Sequence, residues 1–428
     1  LASLRIVGEY NENSVIFLSA QRKNFSAMYA LPGMPVYVIF PEIIHRGQGS
    51  MAMADKIYIS ATDQNAGKTT ISIALLDLAR KAGLRIAFIK PIGPKPVDYA
   101  GGQIDKDALT IAQVFGLEGQ LEMMCPVVVT PGMTQRAIRG EILVADLEAA
   151  ILAAVARLEA QCDLLVIEGA GHSGVGAVLG LSNARVAALL NAPVLMITGG
   201  GIGSVVDAVT LNLALYRECG AQVRMLVANK LHISHRETSL EYLRLAFAAA
   251  EFSVVGGFDY LPTLANPTLK RVAKLLDAKV HGDQGALMRI IHHVDLGAGS
   301  TQRMVDQIKV NTLLLVTNSR NELIVTLANL YQHRPEYRDR LVGLIITGIS
   351  GVSPITQLIL AESGLPYLRI PKKMSDLFLT LHEFVSKLSG EDSEKIALIR
   401  TLAPKRFDLP ATLSQMTMSR SPKAAHPE

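Results

Sequence analysis

Tryptophan is absent from this chain. Cysteine appears three times, at positions 125, 162 and 219, far apart, with no C-x-x-C pair and no histidine at ligand spacing. That scarcity argues against a disulfide framework and against a structural zinc site. Charge is sparse too: 19% of residues are charged, and the formal net charge is +4 over 428 residues. No cluster of Lys and Arg is interleaved with aromatics, so nothing supplies the basic field of a nucleic-acid surface. Long unbroken apolar segments are also missing. The most membrane-like stretch, residues 186–206 (VAALLNAPVLMITGGGIGSVV), is interrupted by Pro193 and by Gly199 to Gly201. It reads as a helix end, a buried strand and a glycine loop rather than a membrane span. An N-terminal signal pattern is not evident, so a cytoplasmic location is the default expectation.

What remains is a chain rich in apolar residues, 49% of the total, which at this length can bury a substantial core. The first well-patterned element begins just after Met51 and Met53. Residues 1–53 are therefore set apart as an extension of doubtful status, an upstream translation artefact being favoured over a native segment. From residue 55, short apolar runs alternate with amphipathic stretches: KIYIS (56–60), RIAFIK (85–90), LLVIEG (164–169), PVLMIT (193–198) and VRMLVAN (223–229), with helices expected at 69–82, 143–161 and 204–218. Runs that are apolar throughout predict a mostly parallel sheet covered by helices on both faces.

Breakers cluster between residues 260 and 300 and place a domain junction there, with a linker at 266–284. Three further strand-loop-helix units, beginning with TLLLVT (312–317), LVGLIIT (341–347) and PYLRI (366–370), predict a smaller three-layer α/β domain at 285–390. Residues 391–428 are expected to form a C-terminal helix and a tail that frays from Pro404.

The chemistry begins at SATDQNAGKTT (60–70), which follows an apolar strand and opens a helix. Backbone N–H groups in such a loop point at phosphate oxygens, Lys68 adds charge, and the Thr69 hydroxyl suits Mg²⁺. The usual loop would need glycine at 62, where Thr62 stands. As an ordinary strand-helix turn, the same residues would use Gly67 for its backbone freedom and Thr69 as an early helix residue. Two further residues favour the phosphate loop. Glu168 ends a buried strand, and Lys90 ends another, so both are expected at the carboxyl edge where parallel sheets bind ligands.

In this order the motifs resemble the dethiobiotin synthetase family and its relatives, including the N-terminal part of long bacterial phosphate acetyltransferases. That family has a modified phosphate loop with five residues between its first glycine and Gly-Lys-Thr, and Ala61 to Thr69 matches that spacing with alanine first. The resemblance covers about residues 54–265. It implies a site for ATP and Mg²⁺: Thr62, Asp63, Asn65, Ala66, Gly67, Lys68, Thr69 and Thr70 around the nucleotide, Asn229 of VANK on adenine, and Lys68 and Lys90 as catalytic cations. Thr69, Asp107 of DKDAL and Glu168 of VIEGAG would hold the metal. Residues 285–390 resemble a DRTGG domain, although the literal string is absent. The stretch IGPKPVDYAGG (92–102) departs from the synthetases, which implies a different substrate.

His172 stands beside this site, either as a general base or as a loop-ordering residue. His292 and His293 read as structural or solvated. The glycines at 199–201 and 203 read as a close backbone approach, near the nucleotide or a partner subunit, rather than a dinucleotide fingerprint. The expectation is thus a cytoplasmic Mg-ATP-binding protein with a small-molecule substrate and a homodimeric assembly, either a ligase that activates a carboxylate or carbamate or an ATPase. A non-catalytic nucleotide sensor is the alternative, and a true dethiobiotin synthetase a narrower one.

Overall fold

The computed structural model describes residues 54–384 and 387–417. The expected extension at 1–53 and the last part of the tail lie outside the described residues. Among those described, the main sheet of the first domain holds six strands: β1 (Asp55–Ala61), β2 (Ile86–Ile89), β3 (Leu164–Glu168), β4 (Val194–Thr198), β5 (Val223–Ala228) and β6 (Ser253–Gly256). They lie in the order β6-β5-β4-β1-β3-β2, all parallel. Every residue of β3 and β4 is buried, as continuous apolar runs require when both faces are covered.

The helices α1 (Lys68–Lys81), α2 (Lys106–Phe115), α3 (Val144–Glu159), α4 (Ile202–Glu218) and α5 (Arg236–Ala246) supply most of that cover. Alternation along β1 divides the core. Tyr58 faces α3, α4 and α5, whereas Ile57 and Ile59 face α1 and α2. Strand order turns back at β1, since β2 and β3 lie to one side of it and β4 to β6 to the other. A crevice therefore opens at the carboxyl edge beside β1, where ligands of such sheets bind.

The chain then passes through α6 (Leu269–Leu275) into a second sheet: β7 (Val280–His281), β8 (His293–Leu296), β9 (Thr312–Thr317), β10 (Leu341–Thr347) and β11 (Tyr367–Ile370). Their order is β7-β11-β10-β9-β8, parallel except for the antiparallel edge strand β7. Helices α7 (Asn321–His333) and α8 (Pro354–Ser363) cover one face, and α6 with α9 (Met374–Glu383) the other. Residues 266–284, expected as a linker, thus carry a helix and a strand. Leu269, Val272 and Val280 are buried in the core that α6 shares with β9 and β10.

Beyond the second domain the chain returns to the first. Helices α10 (Ser393–Arg406) and α11 (Leu409–Thr417) lie against α1. Ile399, Ala403, Phe407, Leu409 and Met416 enter the same core as Ile57 and Ile71. The expected fraying from Pro404 is corrected: Pro404 sits inside α10, and Phe407 beyond it packs edge-on against Phe258 with ring centroids 5.7 Å apart. Buried apolar area outweighs the helix-breaking tendency of a single proline near a helix end.

Candidate functional site

The loop that joins β1 to α1 turns through two left-handed residues, Asn65 (φ 59°) and Gly67 (φ 107°). Gly67 is required twice over, because a Cβ there would lie 2.4 Å from Asn229 Nδ2. Asn229 in turn holds the loop. Its Nδ2 donates to the Ala66 carbonyl at 2.8 Å, and its Oδ1 accepts from Phe258 N–H at 2.9 Å. The residue expected on adenine therefore has both ends of its amide engaged by protein. Lys230 Nζ secures the loop from outside by donating to the Asn65 carbonyl at 2.7 Å.

Register places the carboxylate partner. Ile59 of β1 lies opposite Glu168 of β3, so Glu168 leaves the sheet beside the first turn of α1. Thr69 Oγ1 donates to its Oε1 at 3.0 Å, and Ser72 Oγ, one turn further along the same helix face, donates to its Oε2 at 2.7 Å. Lys68 Nζ donates to the Gly171 carbonyl at 2.6 Å. Burial pushes that ammonium down to about 8 although Glu168 pulls it up. The loop after β3 is shaped by Asn183, whose Nδ2 donates to the carbonyls of Ala170 and His172 at 2.5 Å each.

Lys90 follows β2 and is 1% exposed. Its ammonium makes a close ion pair with Asp107 and lies 3.4 Å from Asp105 and 3.6 Å from Glu168. Burial opposes its charge, but Glu168, Asp107 and Asp105 outweigh burial and hold it above the ordinary lysine range. Burial works against the Asp107 charge as well, yet Lys90 and Lys95 hold that carboxyl far below its usual range. Glu168 goes the other way, raised by burial against the pull of Lys90.

The residues between Lys90 and Asp107 fold into a hairpin, Pro96–Tyr99 against Gly102–Asp105. Asp105 caps α2 by accepting from Asp107 N–H at 2.8 Å, and it also accepts from Lys95 N–H at 3.0 Å. Lys95 Nζ then reaches Asp107 at 3.0 Å.

These groups open onto one cavity of ≈ 360 Å³ lined by Asn65, Gly67, Lys68, Thr69 and Thr70, by Lys90, Asp107 and Glu168, and by Asn229. Thr62, Asp63 and Ala66 are not on its wall. Thr62 bonds to Thr198 of β4, and Asp63 Oδ1 accepts from the next N–H in the loop. Thr69 and Glu168 present adjacent oxygen donors that fit a hard cation such as Mg²⁺. Asp107, the third expected ligand, already has two ammonium partners. His172 is exposed, lies off the cavity, and accepts from Gly174 N–H at 3.3 Å, a loop-ordering contact. Gly199 packs against the Asn229 backbone, and His293 lies in β8.

The sequence reading missed Ser72, Asp105, Asn183 and the cavity residue Lys387. The i, i+3 spacing from Thr69 to Ser72 was a signal for the first; the others depend on tertiary neighbours. Among the described residues no helix is long and apolar enough to cross a membrane.

Residues 55–268 match a family of AAA domains, AAA_26. An ATP-dependent dethiobiotin synthetase from Anaeromyxobacter dehalogenans is 33% identical over 178 residues, covering 41% of this chain and 76% of that protein. A phosphate acetyltransferase from Nitratidesulfovibrio vulgaris is 24% identical over 368 residues, 83% of this chain. This chain spans about half of that relative, 51% of its length. The solved CBS and DRTGG domains of Clostridium perfringens pyrophosphatase cover 33% of this chain at 14% identity, with a TM-score of 0.22 that is too low to compare folds. With a phosphate loop, a strand-end glutamate and this match over its first domain, the chain belongs to the AAA_26 family and to the dethiobiotin-synthetase-like phosphate-loop proteins within it.

Proposed function

We propose that the chain binds ATP with Mg²⁺ in this cavity and uses it to activate a carboxylate or carbamate, as a cytoplasmic ligase whose DRTGG-like second domain regulates the site. One observation carries the reading: the phosphate loop, Lys68 and the Lys90–Asp107–Glu168 cluster all line one cavity. Loop N–H groups and the start of α1 would hold the phosphates, and Lys68 would exchange the Gly171 carbonyl for a phosphate oxygen. Thr69 and Glu168 would hold Mg²⁺, with Asp107 joining once it gives up an ammonium partner; the ion would neutralise phosphate charge. Lys90, kept charged by three carboxylates, would orient and neutralise the anion being activated.

A different substrate from that of the synthetases is favoured by the hairpin at 96–105, which places Lys95 in the cavity. Calorimetric titration of Mg-ATP into the chain and into Lys68→Ala tests the nucleotide site, with binding expected only in the former. Release of phosphate on adding an amine with a carboxylate or bicarbonate tests the reaction. Binding without any turnover would leave a nucleotide sensor in its place.

A further inference from the structure

The nucleotide reading leaves part of the cavity unexplained, and a role for that part rests on the same reading. Five ammonium groups line the cavity, those of Lys68, Lys90, Lys95, Lys230 and Lys387, against the carboxylates of Asp107, Glu168 and Asp259. Asp259 is already taken by two guanidinium groups, Arg236 at 2.7 Å and Arg406 in a close pair. Lys68 and Lys230 attend the phosphate loop, and Lys90 is satisfied by its three carboxylates. Lys95 and Lys387 belong to neither group.

Lys95 is fixed in place from both sides. Its N–H donates to Asp105, its carbonyl accepts from Lys106 N–H at 3.0 Å, and its ammonium rests on Asp107. Lys387 arrives from the other end of the chain, on the segment that leads from the second domain back to α10. Lys387 lines the same cavity as Lys95 and Asp107 and, among the described residues, enters no ion pair of its own; burial together with the neighbouring Lys95 pushes its ammonium down to about 8 against the pull of Asp107. Lys106, at the start of α2, feels Arg271 and Lys274 of α6 as further charges of the same sign, with Asp107 opposing them. Like charges gathered on one wall are unfavourable unless anions offset them, and Asp107, already shared between Lys90 and Lys95, is one carboxylate among several cations. Pro94 and Leu388 give the same wall apolar sides.

We propose that Lys95 and Lys387 form an anion subsite beside the phosphate cradle, so that the second substrate is at least a dianion. One anionic group is activated near Lys68 and Lys90, and a second carboxylate or phosphate is held by the lysine pair. A lysine ammonium is a compact point charge that serves either group. Because Lys387 lies beyond the second domain, the subsite exists only when the chain has closed back onto the first.

The test is calorimetry on the full chain loaded with Mg²⁺ and a non-hydrolysable ATP analogue, with succinate, butyrate and inorganic phosphate as probes. Succinate or phosphate should bind and butyrate should not, and whichever of the two binds more tightly identifies the second group as carboxylate or phosphate. Lys95→Met and Lys387→Met should each weaken that binding by about tenfold, while Lys387→Arg restores it to within about threefold. Nucleotide affinity of Lys387→Met should stay within about threefold of the parent, and its melting midpoint should not fall. If the parent binds nucleotide but no probe, or binds a probe with an affinity that neither substitution changes, the subsite is wrong and the nucleotide reading stands. If the parent binds no nucleotide, both fall.

Discussion

Replacing Lys90 by methionine removes an ammonium that three carboxylates share. Lys90 and Glu168 are each 1% exposed and Asp105 is fully buried. Breaking a buried ion pair from one side costs about 3–5 kcal/mol, because the partner is left charged and unsolvated. Here the lower end applies. Asp107 keeps Lys95 at 3.0 Å, and Glu168 keeps two hydroxyl donors. A loss of about 3 kcal/mol corresponds to a melting midpoint lowered by about 6–12 °C at the scale of a domain of this size.

The pH dependence gives a sharper check. Glu168 is raised by burial even with Lys90 pulling it down, so without Lys90 it is raised further. A carboxyl whose folded value exceeds its unfolded value adds stability that is complete below the unfolded value. That contribution is lost as pH rises through the folded value. The destabilisation by Lys90→Met should therefore shrink as pH is lowered from neutral toward the ordinary carboxylate range, where Glu168 takes up a proton. Scanning calorimetry of both proteins across that range measures it. A midpoint shift under about 2 °C, or a deficit that widens as pH falls, would refute the reasoning.

Three further outcomes are expected. Gly67→Ala puts a Cβ 2.4 Å from an Asn229 amide that is fixed at both ends, and a left-handed alanine costs about 1–2 kcal/mol by itself, so nucleotide affinity measured by calorimetry should fall at least tenfold. Lys68 titrates near 8 when free and is held charged once it meets phosphate, so affinity should be flat below that pH and fall above it. Proton uptake on binding, read from calorimetry in buffers of different ionisation enthalpy, checks this. Phe407→Ala should cost about 3–5 kcal/mol in urea unfolding and weaken nucleotide binding as well, since Phe258, its edge-on partner, lines the cavity.

The parallel sheet was legible because its central strands are apolar at every position, a pattern only double-sided cover permits. Strand β6 escaped notice because SVVG is four residues long and lies on the edge, where half-burial weakens the pattern. The phosphate loop, Lys90 and Glu168 could be read from spacing and strand position. The hairpin at 96–105 could not: its Pro, Gly and Asp content reads as loop, and only its closure reveals that Lys95 returns to Asp107. Lys387 was out of reach for a plainer reason. It meets Lys95 across almost 300 residues of sequence, and no local periodicity records such a meeting.

The return of α10 and α11 to α1 also bears on how the chain folds during synthesis. The apolar face of α1, with Ile71 and Leu75, waits for Ile399, Ala403 and Phe407, more than 300 positions later. At roughly 5–20 residues per second that face stays uncovered for at least 15 seconds, while the second domain, whose core is continuous in sequence, can fold first. A ribosome that pauses within residues 285–390 would thus leave a nucleotide fold with its sheet formed and one side open. That is the species a chaperone would have to shield.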